Sequence, residues 1–115
     1  METSRAERVL RDTVIPAVVG ATAWSRAGEV ERAAAKLCAA IYVGHRPQVI
    51  TIAAIATPLR VLALVISAEV RGTEPVVGRD HPARALAERL LRDKQVGDLA
   101  RSGELQACIA HFCGA

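Results

Sequence analysis

The stretch VITIAAIATPLRVLALVISAEV, residues 49–70, is the most apolar part of this chain and decides how the rest is read. It carries Arg60 near its centre and Glu69 near its end. Three readings compete: a membrane span, a β-hairpin and a pair of buried helices. A span needs about 20 apolar residues, which this stretch just supplies. A central Arg costs roughly 2.5 to 3.5 kcal/mol on insertion, while each Val, Ile or Leu returns only a few tenths. Arg60 therefore argues against membrane association through residues 49–70, which stays an alternative.

The hairpin, at about 48–70, draws on the β-branched VITI and the later LVI, with ATPL as the turn. Its second arm does not alternate, because Leu59, Val61 and Leu62 are apolar on both sides of the pleat. A short chain would then have to cover both faces of a sheet. The helical reading has sharper punctuation: Thr57 as an N-cap, Pro58 at the favoured first position, Arg71 in the last turn and Gly72 beyond it. On a helical wheel Arg60, Ser67 and Arg71 form one stripe, and Leu59, Leu62, Ala63, Ile66 and Val70 lie opposite. The expectation is a helix over 57–71, preceded by a short one opened by Pro47, with the hairpin as an α+β alternative.

Helical signals extend outward in both directions. SRAE, residues 4–7, has the form of a capping box, and Pro16 ends or kinks the helix it opens. Residues 16–28 are ambiguous between helix and strand. In EVERAAAKLCAAIYV, residues 29–43, Val30, Ala33, Ala34, Leu37, Cys38 and Ile41 recur at helical spacing, and Gly44 supplies the stop. GTEPVVGRD, residues 72–80, reads as the longest loop. Asp80 is expected to cap the following helix, whose inner face is Ala83, Leu86, Ala87, Leu90 and Leu91. Arg84 with Glu88, Glu88 with Arg92 and Arg89 with Asp93 are spaced for i,i+4 pairing on its outer side, as are Glu7 with Arg11 and Arg8 with Asp12 in the first helix. Gly97 and Gly103 read as breaks before a last helix over ELQACIAHF, residues 104–112. The fold class expected is mainly α: one domain over residues 1–115, a compact bundle of about five to seven short helices.

A length of 115 residues is enough for one core and too little for two. Hydrophobic residues make up 51% of the chain with only one Phe, one Tyr and one Trp, so the core is built from Ala, Val, Leu and Ile. The net charge of +3 is spread evenly. Residues 1–44 carry six basic and five acidic groups, residues 45–78 three and two, and residues 79–115 six and five. No basic tail announces a nucleic-acid binder. A folded face could still gather Arg5, Arg8 and Arg11, or Arg84, Arg89 and Arg92, against phosphates, so a small Arg-rich nucleic-acid-binding protein is the first alternative function.

Chemistry is thinly signalled. Cys108, His111 and Cys113 in CIAHFC are the densest reactive cluster, but they lack a paired CxxC and a nearby fourth ligand, so no metal is assigned. Cys38, His45 and Asp80 supply the residue types of a nucleophilic site without a motif that joins them. No phosphate-binding glycine motif occurs. No catalytic residue and no cofactor is assigned, and the chain reads as a non-enzyme. The charged start METSRAERVLRD lacks the apolar stretch of a secretory signal, so free thiols and a cytoplasmic location are expected. The surplus of Val, Leu and Ile implies self-association or a protein partner. The reading is a protein–protein interaction or regulatory module, a homodimer burying an apolar helical surface of Leu59, Leu62, Ile66 and Val70, with Trp24 as a further anchor.

Overall fold

The computed structural model describes residues 3–21 and 27–114, so Trp24 lies outside the described residues. Among them every regular element is helical: α1 Arg5–Val9, α2 Ile15–Gly20, α3 Ala27–Val43, α4 Ala53–Arg71, α5 Pro82–Leu91, α6 Lys94–Ser102 and α7 Glu104–Cys113. Two tighter or wider turns join them, a π-helical turn at Leu10–Val14 and a 3₁₀ turn at Val49–Ile52. The mainly α expectation stands, and the hairpin does not form. The radius of gyration, 13.0 Å, is that of a close-packed domain of this length, for which about 13 Å is usual.

The capping box at Ser4 forms as read: Ser4 Oγ accepts from the Glu7 amide at 3.1 Å, and Glu7 Oε1 accepts from the Ser4 amide at 3.1 Å. The helix it opens does not stop at Pro16. A proline ring in a regular α-helix collides with the carbonyl four residues earlier. Here the ladder widens by one residue ahead of it, with the Ile15 amide donating back to Leu10, and the chain continues into α2 with Pro16 exposed.

Residues 49–71 make one continuous helical rod rather than two helices split at Thr57. Thr57 is an exposed interior residue and Pro58 a buried one. An interior proline costs about 3 kcal/mol. Continuity keeps Ile52 and Ile55, both fully buried, in line with Leu59, Leu62 and Ile66. Burying each isoleucine returns roughly 1.5 to 3 kcal/mol, so two of them offset the proline.

α4 is the axis of the fold and packs against α2, α3, α5, α6 and α7. One core cluster runs through all the helices, from Leu10 and Val14 through Leu37, Ile41 and Leu62 to Leu86, Leu99 and Ile109. α3 and α4 both end as the sequence implies. Gly44 (φ 78°) and Gly72 (φ 69°) turn left-handed, and the amides of His45 and Thr73 reach back to Ala40 and Ala68.

The second half departs from expectation in four places. His81 caps α5, its Nδ1 accepting from the Ala83 amide at 3.0 Å, and Asp80 does not. Arg84 turns away from Glu88. It lies 3.9 Å from both Glu69 and Glu74 and donates to the Val77 carbonyl at 3.0 Å, which ties the 72–81 loop to α5. Asp93 does not pair with Arg89, because its carboxylate caps α6 by accepting from the Val96 amide. Gly97 sits inside α6 instead of breaking it. It is buried, and a Cβ there would come within 3.3 Å of the Leu91 carbonyl, so glycine permits the sharp α5–α6 corner. In the first helix Arg11 pairs with its neighbour Asp12, at 2.8 Å, in place of Glu7, whose carboxylate is held by the cap.

Candidate functional site

α4 has an aliphatic face turned inward and a mixed face turned outward. Leu59, Leu62, Val65 and Ile66 face inward and are fully buried. Leu59, Leu62 and Ile66, expected as a docking surface, are therefore core residues of this chain, because five helices pack around α4 and cover that stripe. Val70 is half-buried against the same core. The outward stripe runs through Thr57, Arg60, Leu64, Ser67 and Arg71, residues three or four apart that share a helix face. Leu64 stands on it 57% exposed.

Arg60 is the reason a charge can sit in the most apolar helix. Its guanidinium reaches across to the C-terminal end of α7, where Nη1 donates to the Cys113 carbonyl at 2.8 Å and to the Gly114 carbonyl at 3.3 Å. Those carbonyls have no partner within α7, and the negative end of the helix dipole favours a cation there. The charge is thus spent inside the fold. Gly114 (φ 75°) closes the turn, packed so tightly that a Cβ would meet Val49 at 3.3 Å.

Between the outer stripe of α4 and α7 runs a groove of about 330 Å³. Ala63, Ser67, Ala110 and Gly114 give it a floor of small side chains, Leu64 and Ile109 add apolar walls, and Arg60 and Gln106 complete it. Gln106 Nε2 donates to the Ala100 carbonyl at 2.9 Å, while its Oε1 is buried without a donor. The lining holds no acidic residue, and its one cation is the already partnered Arg60.

A second, larger groove of about 800 Å³ lies on the other side of α7, against α1 and the end of α3. Glu7, Tyr42, His45, Glu104, Cys108 and His111 line it. The Cys108 thiol is pushed up to about 12, mainly by burial and further by Glu7 and Cys113. Burial likewise pushes Cys113 up to about 11, against a smaller opposing pull from Arg60. Burial raises Cys38 too, and its Sγ lies 4.0 Å from the Arg11 carbonyl. These are packed thiols with little thiolate character, the reverse of a tuned nucleophile.

The chemistry-bearing residues singled out in the sequence do not converge. Among the described residues, no three of His, Cys, Asp and Glu come together as a metal site. Cys113 is in the core while Cys108 and His111 face the larger groove. Cys38 is on α3, His45 beyond its end and Asp80 in the 72–81 loop. Of the six candidate phosphate-binding arginines, three are engaged within the chain. Arg8 donates to the Thr3 carbonyl at 2.7 Å, Arg11 holds Asp12 and lies 5.8 Å from the Tyr42 ring centre, and Arg84 holds the loop. Arg5, Arg89 and Arg92 are exposed.

Among the described residues, Val49–Arg71 is the one helical segment long and apolar enough to cross a bilayer, and 44% of its most apolar window is buried inside the fold. Leu64 and Tyr42, both on exposed helix faces, were not singled out in the sequence. Leu64 had a signal, since it falls between Arg60 and Ser67 on the polar stripe opposite the apolar one. The chain matches no family model, no curated protein and no solved structure, so its function has to be read from these surfaces alone.

Proposed function

We propose that the protein is a non-enzymatic interaction module that self-associates through the groove between α4 and α7. The observation that carries this reading is the exposed Leu64 beside a floor of small residues at Ala63, Ser67, Ala110 and Gly114. A twofold interface uses the same patch on both copies, so it needs a protrusion and a recess side by side. Leu64 and the groove are such a pair: the leucine of each copy enters the groove of the other.

Electrostatics favour the same surface. Interface cores are depleted in charge, since an unpaired charge removed from water is costly. The only charged lining residue, Arg60, already has two carbonyl partners, so closing the groove strands no free charge. The apolar surplus of the sequence then divides in two. Leu59, Leu62 and Ile66 serve the core, and Leu64 serves the contact.

Sedimentation equilibrium tests this directly. Wild-type protein is expected to associate to a dimer, and Leu64→Glu to be a monomer with an unchanged helical circular dichroism spectrum. A wild-type monomer at every concentration, or a Leu64→Glu dimer as tight as wild type, overturns the reading.

A further inference from the structure

We propose that the groove between α1, the end of α3 and α7 is a docking site for a basic, aliphatic-rich segment of a partner protein. The chain carries 15 basic and 12 acidic groups, yet the lining of this groove contains Glu7 and Glu104, with His45 and His111 and no Lys or Arg. A surface that excludes the majority charge of its own chain complements a cation. The last turn of α3 contributes Tyr42, Val43 and Gly44 to the same wall, so the negative end of a 17-residue helix faces the depression.

The apolar part of the occupant follows from the rim. Tyr42 is 74% exposed and Val43 62%, and Ala6, Ala107 and Cys108 continue the surface inward. The Arg11 guanidinium already lies 5.8 Å from the Tyr42 ring centre, so the ring offers an apolar contact and the cations of the occupant fall to the carboxylates. Carboxylates at two edges, an aromatic side chain and aliphatic walls suit a segment whose Lys or Arg side chains alternate with Leu or Val. At about 800 Å³ the depression is long enough for several side chains and exceeds what a simple amine would fill.

Glu104 is the residue to change, because it is exposed at the start of α7 and its side chain caps nothing, whereas Glu7 closes the capping box of α1. The experiment is a titration of the full chain, followed by ¹⁵N–¹H correlation spectra, with three probes: a synthetic amphipathic Leu/Lys peptide, its Leu/Glu counterpart and spermine. The proposal expects the Leu/Lys peptide to shift the amides of Tyr42, Val43, Glu104 and Cys108, with affinity falling as salt rises. It also expects Glu104→Lys to weaken that binding by about tenfold, equivalent to roughly 1.4 kcal/mol, and Glu104→Gln to weaken it less. The proposal is overturned if the Leu/Lys peptide does not bind, if the Leu/Glu peptide binds as well, if spermine alone reproduces the shifts, or if Glu104→Lys leaves the affinity unchanged. Repeating the titration on Leu64→Glu separates the two grooves, since loss of self-association there leaves this site intact.

Discussion

The inner and outer stripes of α4 differ in composition, yet each contains a leucine whose fate is set by its company. Leu62 and Leu64 are two residues apart, identical in side chain, and one is fully buried while the other is 57% exposed. Leu62 lies on the side of α4 that the surrounding helices cover. Beside Leu64 the neighbours are Ala63, Ser67 and Ala110, too small to reach over it, and Arg60 is drawn away toward the end of α7. An apolar residue is left outside where its neighbours are small and the nearest long side chain is committed elsewhere. In this account that deficit of cover is what a second copy supplies.

The largest effect is expected at Leu62. Leu62→Ala removes a fully buried side chain and is expected to cost about 2 to 5 kcal/mol in denaturant unfolding, whereas Leu64→Ala is expected to change monomer stability by no more than about 0.5 kcal/mol. Equal losses at the two positions would abolish the distinction between the stripes. The next largest effect concerns the charge. Arg60→Met keeps the aliphatic stem but leaves the Cys113 and Gly114 carbonyls without their donor. Arg60 is partly exposed, so water recovers some of the loss, and the expected cost is about 1 to 2 kcal/mol. Faster amide hydrogen exchange should be confined to the last turn of α7, and exchange that is unchanged there would show that the contact does not hold that end.

A smaller effect sharpens the contrast between packed and open sides of α7. Cys113 and Cys108, with thiols pushed up to about 11 and about 12, should resist iodoacetamide at mildly alkaline pH and react once the chain is unfolded. The sign of the linkage is set by the neutral form. A thiol whose folded value lies above its unfolded one holds its proton more tightly when folded, so stability is complete below the ordinary value of 9.0 and declines as pH rises from there toward about 11. A denaturation midpoint that stays flat or rises across that window would contradict the burial of these thiols.

The helical class was legible because its signals are local: a capping box at Ser4, a 3.6-residue period over Val30–Ile41, and glycines at positions 44 and 72 where a left-handed turn is needed. What was not legible depended on partners distant in sequence. Thr57 and Pro58 mark a helix start by every local rule. The rod continues through them because Ile52 and Ile55 gain their burial only from the completed bundle. Arg84 has Glu88 in ideal register on its own helix and instead serves a loop whose course the sequence does not specify. The candidate site shows the same limit. The residues the wheel marked as a docking surface, Leu59, Leu62 and Ile66, are fully buried within this chain. That stripe is the most apolar one, and the helices packed around α4 claim it for the core of this chain. Leu64 sat in plain view on the stripe of Arg60 and Ser67, and its neighbours' small size mattered more than its own hydropathy.

The measurement that bears most directly on the account is a dilution series of ¹⁵N–¹H correlation spectra on the wild-type chain. The account predicts concentration-dependent shifts at residues 60–67 of α4, at 106–113 of α7 and at Gly114, with none at the buried Leu86 and Leu90 of α5, and their loss in Leu64→Glu. Spectra that do not change with concentration, or changes centred instead on the exposed Tyr42 or the exposed Ile50 of the 3₁₀ turn, would contradict it.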